Sequence, residues 1–153
     1  MHKTLRIEGY RAGVGMMMLN KKGEVFVAKR VDCPNAWQMP QGGIDVGEIP
    51  DEAVLRELKE EIGTDNVKVL KKAENCVKYD FPDYVAQKCW NGKYKGQVQK
   101  WFLLEFLGED DEIDLCTHEQ EFTEWKWVDK SHLLEAIVDF KRELYVKVLK
   151  ELE

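Results

Sequence analysis

The chain predicts an α/β fold in which a layer of strands packs against helices. Three observations point there. Two apolar runs separated by a tight turn, residues 12–19 and 24–31, read as a hairpin. A helix of about a dozen residues follows, opened by Pro50 and closed by Gly63. Three more strand-like runs then lead into a C-terminal stretch with helical spacing. Hairpins interleaved with a central helix bury their apolar faces as stacked layers.

In order, residues 1–9 read as a loose leader. Residues 12–19, rich in Met and Gly, form a run short enough for a buried strand. Asn20, Lys21, Lys22 and Gly23 supply the turn. Residues 24–31, with Val25 and Val27 alternating, form the returning strand, which the segment 32–35 breaks. Residues 37–41 are extended and lead into Gly42 and Gly43. After the central helix, residues 67–79 hold two short apolar runs, a strand that bends or pairs twice. The segment 81–84 starts a loop, and 88–96, with Asn91-Gly92, reads as a polar hairpin tip. Residues 97–107 are the strongest candidate for a buried strand, 109–121 an exposed acidic loop, and 124–128 an alternating strand. From Ser131 the pattern is helical in two parts, carried by Leu133, Leu134, Ile137 and Val138, then Leu144, Tyr145, Val148 and Leu149.

Composition narrows the class. The chain's 153 residues, 44% hydrophobic and 34% charged, suit one domain, residues 1–153, with an adequate core. A net charge of −6 argues against a broad basic surface for long duplex nucleic acid. The four cysteines (Cys33, Cys76, Cys89, Cys116) lack zinc or C-x-x-C spacing and read as free thiols of a reducing compartment. No apolar run is long enough to span a bilayer, and the N-terminus has no signal-peptide core. The expectation is a soluble cytoplasmic protein, a monomer or weak homo-oligomer.

The chemistry concentrates in residues 42–64. Pro50 suits the first helical turn, Asp51 and Glu52 suit the positive end of the helix dipole, and Gly63 suits a left-handed cap. Val54, Leu58 and Ile62, with Leu55 beside them, make an apolar stripe. Glu57, Glu60 and Glu61 stand at i, i+3 and i+4 and share another face. Like charges so placed repel by roughly 0.2–0.5 kcal/mol per pair. Arg56 offsets part of this by pairing with Glu60; a hard divalent cation would offset far more. For an acidic helix considered alone, a plain solvated face is the commoner explanation.

The spacing decides between them. Gly42, Glu48, Arg56-Glu57-Leu58, Glu60-Glu61 and Gly63 resemble the Nudix box, with Thr64 where that pattern has an aliphatic residue. The resemblance implies a mixed sheet between helices, an α/β/α sandwich. It also implies an enzyme that hydrolyses nucleoside diphosphates linked to another group, dependent on Mg²⁺ or another divalent cation such as Mn²⁺. Glu57, Glu60 and Glu61, with the carbonyl of Gly42, would hold the metal; Arg56 would orient the carboxylates and Glu48 would brace the loop. The general base would be Glu60 or Glu61, or else the distant Glu121.

Beyond the box, the tracts GYRAGVGMMMLN, WQMPQGGI, QKWFLLEF, EFTEWKWV and DFKRELY resemble the RNA pyrophosphohydrolase and dinucleoside polyphosphate hydrolase branch of that family. That resemblance places Arg11 on the phosphate chain and puts Arg30 and Phe140 on the two faces of the first base. Lys141 would lie near the phosphates, and Gln41 and Gln97 would line the cleft. Two activities are implied: removal of pyrophosphate from an RNA 5′ triphosphate and asymmetric cleavage of dinucleoside polyphosphates. A nucleotide-sensing module without catalysis and a housecleaning pyrophosphatase for mononucleotides are the alternatives. The intact glutamate set speaks against the sensor.

Overall fold

The computed structural model describes residues 8–31, 33–82, 93–117, 120–137 and 141–153. Its centre is a pair of long strands, β1 (Tyr10–Leu19) and β7 (Gly96–Phe106), which run parallel from Tyr10↔Gly96 to Leu19↔Glu105. Around them lie β2 (Val25–Arg30), β3 (Cys33–Gln38), β4 (Gln41–Gly43), β5 (Val67–Lys72), β6 (Val77–Asp80) and β8 (Phe122–Val128). The eight-stranded sheet has the order β3-β2-β1-β7-β5; β4 adds to β1, β6 to β7 and β8 to β2. All pairings except β1 with β7 are antiparallel, so the sheet is mixed.

The long helix α1 (Pro50–Ile62) covers one face. Its Ala53, Val54, Leu58 and Ile62 are fully buried against Val14, Met16, Met18, Phe26, Phe102 and Leu104. The other face is covered by the C-terminal helices α2 (Leu133–Ala136) and α3 (Arg142–Glu151). There Leu133, Leu144, Tyr145 and Val148 pack on Met17, Val25, Val27, Met39 and Trp101. Alternate residues of β1, β2 and β7 feed the two cores, as the period of a strand requires. The result is the α/β/α sandwich expected. Gly15 is needed where β1 passes Trp101, because a Cβ there would sit 2.2 Å from the indole ring.

Four expectations change. Leu55 is 39% exposed and lies outside the stripe formed by Val54, Leu58 and Ile62, because its neighbours on the helix already fill the contact with the sheet. The segment read as a break after β2 is strand from Cys33 onward; β3 ends the sheet, and an edge strand tolerates a proline. Residues 67–79 form two separate strands, β5 and β6, which pair with successive lengths of β7. The C-terminal helical pattern is interrupted at Ile137, whose backbone is extended and bridges Trp37. Val138 and residues 83–92, which include most of the expected hairpin tip, lie outside the described residues.

Candidate active site

Helix α1 sets the geometry. Pro50 occupies its first turn after the extended Ile49, and Gly63 ends it at φ 79°, donating its N–H to the Lys59 carbonyl at 3.0 Å. The buried stripe fixes the helix's rotation about its axis. That rotation turns Glu57 and Glu61 toward β4 and the start of β1. Thr64, the one departure from the box, is buried, and its Oγ1 accepts the Asn66 N–H at 3.1 Å.

Arg56 is the hub of the acidic face. Its Nε and Nη2 donate to the two oxygens of Glu48, both at 2.8 Å, a bidentate fork. Nη1 donates to Glu57 at 3.0 Å and Glu60 at 3.1 Å, and Nη2 also donates to the Gly43 carbonyl at 2.9 Å. Glu48 in turn accepts the Asp45 N–H at 3.0 Å. The Arg56 guanidinium therefore holds the Glu48 carboxyl below the usual range, and its own pKa rises, chiefly through Glu48. One cation ties the glycine turn, the loop and the helix together.

Glu57 and Glu61 are in a different state. A Cβ on Gly42 would lie 2.2 Å from the Glu57 carboxyl carbon, so Glu57 rests on bare glycine backbone. Burial raises the Glu57 pKa, against the opposing pull of Arg56. Glu61 is 6% exposed, and its Oε2 is buried without a hydrogen-bond partner. Burial drives its pKa well above the ordinary value, with Glu57 and Glu121 adding to the rise and Arg30 and Arg11 opposing it. Glu60 stands apart: its side chain is 60% exposed and drawn to Arg56. Among the described residues no three acidic, His or Cys side chains stand together as a ready-made metal cluster. The donor chemistry nonetheless fits a hard divalent cation. An unpartnered buried carboxylate oxygen beside a second, half-buried carboxylate is a costly arrangement that such an ion relieves.

The rest of the cleft comes from strands. Parallel register sets Arg11 beside Gln97, antiparallel register sets Tyr79 across from Gln97, and Gly13 pairs with Gly43. The Arg11 guanidinium lies over Gly43, where a Cβ would come within 2.6 Å of Nη2. Its charge reaches Glu57, Glu61 and Tyr79. At the end of β2, Arg30 lies 3.7 Å from Glu121, which the Val31 N–H to Glu121 carbonyl bond (2.9 Å) holds beside the strand. Both charges act on Glu61, Glu121 raising its pKa and Arg30 lowering it. Lys141 is buried and donates to Gln38 at 2.8 Å and Gln41 at 3.2 Å. Phe140 lies outside the described residues.

Two residues escaped the sequence reading. Gln38 anchors Lys141, and Tyr79 sits between Gln41 and Gln97, with its phenol pushed up to about 12 chiefly by burial. Alternation in residues 77–80 puts Val77 and Tyr79 on one face, but only strand pairing shows that this face meets the cleft.

Comparison with known proteins agrees with this geometry. A family model described as the NUDIX domain matches residues 9–148. The chain is 50% identical over 143 residues to the RNA pyrophosphohydrolase of Rhodospirillum rubrum, covering 94% of this chain and 87% of that protein. It is 48% identical over 143 residues to the RNA pyrophosphohydrolase of a Wolbachia of Drosophila simulans, covering 93% and 88%. The crystal structure of a MutT protein from Methanosarcina mazei superposes with a TM-score of 0.71 at 20% identity, over 94% of this chain and 96% of that one, a likeness of fold alone. The box on α1, the cleft beside it and a family match spanning both establish that this chain belongs to the Nudix hydrolases, enzymes that generally depend on divalent metal ions.

Proposed function

We propose that this enzyme removes pyrophosphate from the 5′-triphosphate end of RNA, with Mg²⁺ as its metal, and that the same centre cleaves dinucleoside polyphosphates. The observation that carries the reading is the buried Glu61 carboxyl beside Glu57, one of its oxygens without a hydrogen-bond partner, within the charge influence of Arg11 and Arg30. The 50% identity to a protein named RNA pyrophosphohydrolase supports the choice of RNA. A single stacked base and a polyphosphate chain would satisfy the cleft, and this is why both substrates suit it.

In this reading Glu57, Glu60, Glu61 and the Gly42 carbonyl would hold the metal, Glu60 from the exposed rim. When bound there, a divalent ion would supply charge neutralisation for the polyphosphate and a lowered pKa for water. The chain's own groups do the rest. Arg11 and Lys141 orient the phosphates, and Arg30 covers one face of the first base. Arg56 keeps Glu57 and Glu60 in place. Glu121, beside Glu61 and half exposed, takes the proton from the attacking water. Water adds to phosphorus as the phosphoanhydride bond breaks, and RNA 5′-monophosphate and pyrophosphate leave. We place this reaction in the cytoplasm, in one domain spanning residues 1–153; among the described residues no helix is long and apolar enough to cross a membrane.

The test is a side-by-side rate comparison, with Mg²⁺, of triphosphorylated RNA, diadenosine tetraphosphate and the four ribonucleoside triphosphates at matched concentrations. Pyrophosphate release from RNA is expected, with poor turnover of the mononucleotides. RNA left intact would overturn the proposal, and no turnover of any substrate would favour the sensing module.

A further inference from the structure

Beneath the cleft, a run of hydrogen bonds leads from the core to Tyr79. The Trp101 indole N–H donates to Gln99 Oε1 at 3.1 Å. Gln99 Nε2 donates to Gln97 Oε1 at 3.2 Å, and Gln97 Nε2 donates to the Tyr79 oxygen at 2.9 Å. Trp101 and Gln99 are fully buried and Gln97 is 1% exposed.

The direction of this run follows from chemistry. An amide's oxygen and nitrogen are told apart by the partners each end meets. Indole is a donor only. Gln99 must therefore present its oxygen to Trp101 and its NH₂ to Gln97. Gln97 must then accept from Gln99 and donate onward, and the Tyr79 oxygen must accept. A second run arrives from the other side. Lys141, also a donor only, gives to Gln41 Oε1 at 3.2 Å, which leaves the Gln41 NH₂ as the end that meets the Tyr79 hydroxyl. The Gln97 N–H occupies a lone pair of the phenolic oxygen, and the Gln41 amide nearby favours the same accepting role. Its own proton remains to be given.

We propose that Trp101 and Gln99 are positioning residues whose one-way hydrogen bonds oblige Tyr79 to donate its hydroxyl proton to a phosphate oxygen of the bound substrate. Arg11 and Arg30, whose charges reach the Tyr79 hydroxyl, are also donors only. These groups add donors beside the Tyr79 hydroxyl, which suits an anionic oxygen. A reversed run would aim a lone pair at that oxygen. The inference rests on the polyphosphate reading above.

A double-mutant cycle tests it. Trp101→Phe keeps an aromatic ring in the core but removes the N–H. It should raise KM for triphosphorylated RNA about tenfold, the scale of one hydrogen bond to a charged group, and by a larger factor than it lowers kcat. In a Tyr79→Phe background the same change should add nothing. An equal factor in both backgrounds, or no rise beside an intact Tyr79, would overturn the proposal. If Trp101→Phe does not fold, Gln99→Met makes the same test. A readout independent of turnover separates this idea from the substrate assignment. The Trp101 indole N–H resonance should shift when inorganic tripolyphosphate is added to the wild type, and stay still in Tyr79→Phe. An unmoved wild-type resonance would sink the positioning role even if RNA is cleaved; a shift alongside uncleaved RNA would keep it and reject the RNA reading.

Discussion

Glu61 carries the largest unrelieved electrostatic cost among the residues of the box. Its pKa is raised from an ordinary 4.5, first by burial and then by Glu57 and Glu121. A raised native pKa means that the folded chain keeps a proton the unfolded chain has released. The stabilisation is complete below the unfolded value and is lost as pH rises through the native one. Without metal, Glu61→Gln should therefore melt a few degrees above the wild type at neutral pH, and the gap should close as pH falls toward 4.5. Melting curves across that pH range check this, and a constant gap would remove titration of Glu61 from the explanation. The same substitution should lower turnover by roughly 100-fold or more, as loss of a metal-holding carboxylate implies. Glu60→Gln should do likewise despite its exposure, and a normal rate would exclude it from the reaction. Arg56→Lys keeps the charge but loses the fork on Glu48. Loss of these charged hydrogen bonds should cost about 1–3 kcal/mol in denaturant unfolding and reduce turnover as well.

At the scale of elements, α1 works because its buried stripe and its acidic face are parts of one rigid body. Leu58, fully buried between helix and sheet, can test that coupling. Leu58→Ala should destabilise the fold by about 2–5 kcal/mol while leaving KM near the wild-type value in the folded fraction. A large KM change at unchanged stability would show that the helix positions the glutamates by some other contact. The turn between β4 and α1 was readable from sequence because glycine, proline and carboxylates each have a local reason for their places. Its fit to Glu57 was not. That the Gly42 position must lack a Cβ follows from a contact across 15 residues of chain, a close approach that only packing produces.

For the whole molecule, a net charge of −6 argues against a broad basic surface, so on the proposed function nucleic-acid contact is expected at the site alone. Few phosphates should be engaged, so log KM for triphosphorylated RNA should rise only gently with log salt, with a slope of about 1–2 for two or three phosphate contacts to a single strand. A steep slope, or strong competition by duplex DNA, would reveal a second surface. The mixed sheet makes the cleft possible. Parallel pairing of β1 with β7 brings Arg11 to Gln97, while β4 and β6 add to the same two strands and deliver Gln41 and Tyr79 to the same end.

The sequence by itself determined the helix and its caps, the spacing of Glu57, Glu60 and Glu61, and the α/β class, because these depend on neighbours a few residues apart. It also picked out Arg11, Arg30, Gln41, Gln97, Lys141 and Glu121 through resemblance to a family, with no account of how they meet. Only the tertiary structure decided that Glu61 is buried and Glu60 exposed, although they are adjacent on one helix. It alone brought Tyr79, Gln99 and Trp101 into one directed run of hydrogen bonds. Burial and hydrogen-bond direction depend on which strands pair and in which register, and residues far apart in the chain set both.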